Sequence, residues 1–128
     1  MIKTLVVYED GKTDIEQSAK LIAARLDSKR YEVKLRAASV VSIPEILAAK
    51  LYFFGADTVR SPSYAEVARV FLGINLAGRS VAYFGPSSEA RASLKAMAGD
   101  TDLRAACPDL VDARPEPEAV SAWLRNIR

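Results

Sequence analysis

Two apolar runs with a helix between them constrain this chain more than any other feature. The first is residues 51–56 (LYFFGA), and the second is the end of 75–85 (NLAGRSVAYFG), which a turn feeds. Between them Tyr64, Val67, Ala68, Phe71 and Leu72 recur at helical spacing, with Gly73 and Asn75 as stop signals. Short continuous apolar runs flanking a helix read as strands buried on both faces, joined in a parallel βαβ unit.

The rest of the chain repeats the alternation. Residues 2–8 read as a first strand, whose short apolar stretch meets Glu9 and Asp10 at once and so is no leader peptide. A helix is expected over 14–27, with Ile15, Ala19, Ile22 and Leu26 inward and Thr13 or Asp14 as N-cap. Residues 31–36 alternate apolar with charged, which suits an edge strand. Residues 37–43 read as a loop, and Pro44 opens a short helix through Leu47. Further on come a strand at 80–84, a helix at 88–98 burying Ala90, Leu94 and Met97, and a short fifth strand at 110–113. A last helix at 117–127 turns Val120, Trp123, Leu124 and Ile127 inward. The expectation is α/β, one domain over residues 1–128, with a parallel sheet covered by helices on both faces.

Composition excludes several functions. The 18 Lys and Arg nearly balance the 16 Asp and Glu, so the net +2 gives no case for nucleic acid. No apolar stretch is long enough for a membrane span. The chain has no histidine, which removes Ser-His-Asp and Cys-His catalysis and histidine metal sites. A single cysteine, Cys107, forbids an internal disulfide and a cysteine metal cluster; it points to a reducing, cytoplasmic setting and to a buried small apolar residue.

The segments LYFFGAD and NLAGRSVAYFG, together with KTLVVY followed by a loop and helix, resemble the flavodoxin-like family over nearly the whole chain. The resemblance implies a three-layer αβα sandwich with a five-stranded parallel sheet of order 2-1-3-4-5. It also implies flavin mononucleotide (FMN), an electron-transfer cofactor, held by three loops at the carboxyl ends of the strands.

Each loop departs from the family pattern. The first, a hydroxyl-rich phosphate loop in flavodoxins, here offers Asp10, Gly11, Lys12, Thr13 and Asp14, with Ile15 at the last hydroxyl position. Glu9, Asp10 and Asp14 face the phosphate position, where like charges about 4 Å apart repel by roughly 1–4 kcal/mol each, and Lys12 offsets one. Gly11, Lys12 and Thr13 also match the end of a Walker loop, whose earlier glycine is missing. The second loop has Thr58, Val59 and Arg60 where an aromatic wall is implied, and Tyr64 falls on the core face of a helix. The third begins Pro86, Ser87 and has no aromatic; Ser87 and Ser88 suit a helix cap. A pI near 8.8 also lacks the acidic field of electron-transfer flavodoxins.

The same topology serves phosphoacceptor receiver domains, and Glu9, Asp10, Asp57, Ser87 and Arg114-Pro115 stand near the positions of an acid pair, acceptor, hydroxyl and basic residue. Arginine is a poor substitute for lysine there. The favoured reading is a flavodoxin-like protein with a degenerate FMN site, acting as a non-catalytic binding or regulatory module for a protein partner. One alternative is a divergent FMN-binding electron-transfer flavodoxin with a redox partner. The other is a degenerate receiver-like domain. The expected state is a monomer or weak dimer that contacts neither nucleic acid nor membrane.

Overall fold

A computed structural model describes residues 1–127. Its elements alternate: β1 (Ile2–Tyr8), α1 (Thr13–Arg25), β2 (Tyr31–Ala37), α2 (Ile43–Ala48), β3 (Leu51–Gly55), α3 (Ala65–Phe71), β4 (Ser80–Phe84), α4 (Ser88–Ala98), β5 (Arg104–Ala105) and α5 (Pro117–Leu124). The strands form one parallel sheet in the order β2-β1-β3-β4-β5, as the resemblance implies. Among the described residues no helix is long and apolar enough to cross a membrane.

Two cores sandwich the sheet. Leu5, Val7, Tyr52, Phe54, Val81 and Tyr83 face α2, α3 and α4, where they meet Ile46, Tyr64, Val67, Phe71, Ala90 and Leu94. Val6, Phe53, Ala82 and Phe84 face the other way, onto Ile15, Ala19 and Ile22 of α1 and Val120 and Trp123 of α5. The central strands β3 and β4 are buried at every position, which is why they read as unbroken apolar runs. A fully buried side chain of this size contributes about 1.5–3 kcal/mol, so these strands anchor the fold.

The structure corrects four expectations. The fifth strand does not lie at 110–113. Its ladder with β4 starts earlier, with Arg104 N–H on Arg79 C=O and Ala106 N–H on Val81 C=O. Pro108, which has no N–H, follows, and the strand rejoins only as a bridge between Leu110 and Phe84. Neither Thr13 nor Asp14 caps α1: Gly11, at φ +75°, turns the chain so that Lys12 is the extended N-cap residue and Thr13 already begins the helix. Leu72, expected on the core face of α3, lies past the helix end and is 85% exposed. The connection at 37–43 is not a plain loop, because Ala38–Val40 forms a 3-10 turn and Ser42 then caps α2 in a reciprocal box with Glu45.

Candidate functional site

In an open parallel sheet, ligands collect at the carboxyl ends of the strands where the winding direction reverses. That point lies here between β1 and β3, beneath the loops that follow β1, β3 and β4.

Glu9 leaves β1 there. Its N–H donates to Gly55 C=O at 3.0 Å, and its carboxylate, on a residue only 4% exposed, accepts the N–H groups of Asp57 at 2.8 Å and Thr58 at 3.1 Å. Burial pushes this carboxyl up. The hydrogen bonds from the Asp57 backbone, the Thr58 and Ser61 hydroxyls and the Thr58 backbone together outweigh it and hold Glu9 below the ordinary carboxylate range. Glu9 therefore ties the first loop to the second rather than facing a phosphate.

Asp10 turns away as well. Its carboxylate accepts Ser39 N–H at 3.1 Å and the Ser39 hydroxyl, and its own N–H donates to Ser63 Oγ. Asp14 meets Arg114 at 3.3 Å on the surface. The acids that the sequence gathers at one loop thus diverge onto separate partners. Among the described residues no group of three or more His, Cys, Asp or Glu is placed to hold a metal ion.

Gly11, Lys12, Thr13, Asp14, Ile15, Asp57 and Pro86 do converge, around a cleft of about 220 Å³ at the start of α1. Lys12 supplies no side-chain cap, and the first-turn amides of this 13-residue helix meet no side-chain acceptor among the described residues. This corner has the polarity for an anion, countered by the carboxylates of Asp14 and Asp57 in its lining.

Thr58, Val59, Arg60 and Ser87 are not among the cleft residues. The Thr58 amide is held by Glu9. Val59 is half exposed. Arg60, in the left-handed region at φ +51°, donates its N–H to Ser93 Oγ on α4. Ser87 accepts Ala90 N–H and caps α4, as its position predicts. Tyr64 belongs to the core: its hydroxyl lies 2.8 Å from Gly55 C=O and 3.1 Å from both Val7 C=O and Gly55 N–H, pinning the ends of β1 and β3. Gly85 closes β4 at φ +128°, where a Cβ would meet Ala56 C=O at 2.4 Å.

Three basic side chains near β4 are held by the protein's own groups. Arg91 and Lys95 share Asp109, and Arg79 binds Leu47 C=O and the Tyr52 hydroxyl. Cys107 and Trp123 are buried, the latter donating to Pro108 C=O at 2.6 Å.

The start of α1 offers amides, one hydroxyl and one cation to a phosphate, but no aromatic side chain lines the cleft and none stands in the tips of the second and third loops. The Asp57 and Thr58 amides are already occupied by Glu9. Sequence reasoning placed Glu9 beside the phosphate and did not find the Asp10–Ser39 and Arg60–Ser93 links, which join residues 29 and 33 positions apart. An acidic pair directly after a buried strand was the only local sign.

No protein-family model matches the chain, and no curated protein matches it. Solved structures do. A short-chain flavodoxin associated with a non-canonical PDU bacterial microcompartment superposes with a TM-score of 0.81 at 14% identity, covering 99% of this chain and 97% of that one. Oxidised flavodoxin 2 from Bacillus cereus gives 0.79 at 24% identity, with coverage of 97% and 96%. A flavodoxin from Streptococcus pneumonia TIGR4 gives 0.76 at 15%, with coverage of 98% and 97%. The chain has the flavodoxin-like fold along its length.

Proposed function

We propose that this chain is a flavodoxin-like domain with a degenerate flavin site, serving as a non-catalytic binding or regulatory module for a protein partner in a reducing, cytoplasmic setting. The observation that carries this reading is the Glu9 carboxylate on the Asp57 and Thr58 amides. With Asp10 on Ser39 and Arg60 on Ser93, it braces the strand-end loops with the protein's own groups. Loops braced in this way form a preorganised surface without a cofactor, and preorganisation lowers the ordering cost of docking a partner. The lack of an aromatic wall and the slightly basic charge point the same way.

A second reading, a divergent FMN-binding electron carrier, is favoured by one feature: the uncapped start of α1, with Gly11, Lys12 and Thr13 around an open cleft. If bound, the flavin would supply one- or two-electron redox chemistry. Thr13 and the first-turn amides would hold its phosphate, and Lys12 would balance its charge.

Titration with FMN, followed by flavin fluorescence quenching and by the shift in melting temperature, separates the two. No quenching and no stabilisation at saturating flavin supports the module. Dissociation constants in the micromolar range or below establish the carrier. A ligand at about 100 times its dissociation constant stabilises by about 2.7 kcal/mol, so the melting shift would be unmistakable.

A further inference from the structure

The two edges of the sheet differ. β5 is two residues long and gives an incoming strand little to pair with. β2 is seven residues long and borders β1 alone.

The bond from Ile2 N–H to Arg30 C=O fixes which groups of β2 are committed. In a parallel ladder, alternate residues bond to the same neighbour, so the even-numbered residues of β2 serve β1 and the odd-numbered ones point their N–H and C=O outward. Two outward groups have partners within the chain: Tyr31 N–H donates to Asp27 C=O, and Leu35 C=O accepts from Arg36 Nη1. The N–H and C=O of Val33, the N–H of Leu35 and the C=O of Tyr31 remain to be paired, as does the N–H of Ala37 at the end of the strand.

We infer that β2 pairs antiparallel with β2 of a second copy of this chain, in the register that sets Val33 opposite Val33. That register joins the outward groups of Tyr31, Val33 and Leu35 at the middle of the strand: Val33 bonds reciprocally to Val33, and each Leu35 N–H meets the other copy's Tyr31 C=O. The groups already satisfied inside the chain fall at the two bonds that are not needed.

Charge selects the same register. Glu32 and Lys34, both exposed, lie side by side on one face of the strand. With Val33 at the centre, each Glu32 stands opposite a Lys34 at the closely spaced, non-hydrogen-bonded positions, where cross-strand side chains interact most. A shift by two residues in one direction sets Lys34 against Lys34, and in the other sets Glu32 against Glu32. The next pair outward is Arg30 with Arg36. Both guanidinium groups are held elsewhere, Arg30 over the Tyr31 ring at 5.5 Å and Arg36 on Glu45 at 2.7 Å. On the other face the half-buried Val33 and Leu35, which pack against the α1 core, gain cover from their counterparts. A two-fold axis through the Val33 pair makes the contact self-complementary and closed. This pairing is independent of whether the strand-end site binds flavin.

Sedimentation velocity on the full chain tests it, at concentrations up to about 1 mM, where even a weak contact is populated. The parent chain should sediment as a concentration-dependent dimer. Lys34→Glu and Glu32→Lys should each weaken dimerisation about tenfold or more, since both symmetric pairs turn repulsive. The double exchange Glu32→Lys with Lys34→Glu should restore it. Val33→Pro removes an outward N–H and leaves the β1 ladder intact, so it should give a folded monomer by circular dichroism. A parent monomeric throughout, a dimer indifferent to the single charge reversals, or a double exchange that fails to restore pairing would overturn the inference. The charge exchanges decide the matter even if the proline variant folds poorly.

Discussion

Replacing Glu9 by alanine takes away the acceptor of two backbone N–H groups beneath the second loop, those of Asp57 and Thr58. Each orphaned donor costs about 1–3 kcal/mol when water cannot reach it freely, so a loss of about 2–6 kcal/mol in total is expected, nearer the lower end for two partly buried groups. For a domain of this size that lowers the melting temperature by about 10 °C. Glu9→Gln is milder. Both backbone bonds go to the same oxygen, Oε1, which an amide retains, so the loss is confined to the charge-assisted part and to the contacts with the Thr58 and Ser61 hydroxyls, about 1–2 kcal/mol. The two variants differ further in their pH dependence. Glu9 has its folded pKa lowered from an ordinary value of 4.5. The stability it contributes is therefore fully present above pH 4.5 and is lost as the pH falls through the lower folded value. The gap between the parent and Glu9→Gln should be full from neutral pH down to about pH 5 and narrow below about pH 4. Glu45 is lowered as well, by Ser42 and Arg36 against its own burial, but it is common to both proteins and cancels in the difference. Thermal unfolding followed by circular dichroism at pH 7, 5 and 3.5 measures all of this. An alanine variant melting within 2 °C of the parent, or a glutamine gap unchanged between pH 7 and 3.5, would refute the view that Glu9 braces the loops.

Other outcomes follow from the same geometry. Tyr64→Phe removes a hydroxyl that meets the ends of β1 and β3 while keeping the ring in the core, and should cost about 1–2 kcal/mol by denaturant unfolding. Gly85→Ala places a Cβ 2.4 Å from Ala56 C=O at a left-handed φ and should cost about 2–4 kcal/mol, with the melting temperature falling to match. Trp123→Phe leaves Pro108 C=O without its donor and should cost about 1–2 kcal/mol, with the change read in the unfolding midpoint. Arg60→Gly relieves a left-handed φ and should leave stability unchanged or raise it by up to about 1 kcal/mol, because the link to Ser93 uses the backbone N–H that glycine keeps.

The elements legible in the sequence are those with a local cause. β3 and β4 are buried on both faces, so LYFFG and SVAYF stand out as unbroken apolar runs. α4 carries Ser87 at its cap and Ala90 and Leu94 at helical spacing, and its bounds agree with expectation. The fifth strand was misplaced because its two ladder residues, Arg104 and Ala105, are exposed and carry no apolar signal, whereas Leu110 beyond Pro108 does. Leu72 misled because a helical period continues on paper past the residue where the helix ends. The site was harder still. Residue types at the loops showed that aromatics are missing, but where each acid points depends on partners far along the chain, Glu9 on Asp57 and Thr58 and Asp10 on Ser39, and no period encodes that.

Those partners bear directly on any competing ligand. To use the Asp57 and Thr58 amides, a flavin or other acceptor must displace the Glu9 carboxylate. That would leave a charge on a residue 4% exposed without its hydrogen bonds. Breaking one side of a buried charged interaction costs about 3–5 kcal/mol, enough to weaken binding by about two to nearly four orders of magnitude. The internal carboxylate has no such handicap, because folding itself brings it to the amides and no separate molecule must be immobilised. A ligand that avoids this penalty is confined to the start of α1, where Asp14 and Asp57 share the lining with Lys12. At the centre of the strand-end surface, then, a competing acceptor gains the Asp57 and Thr58 amides only at the expense of Glu9.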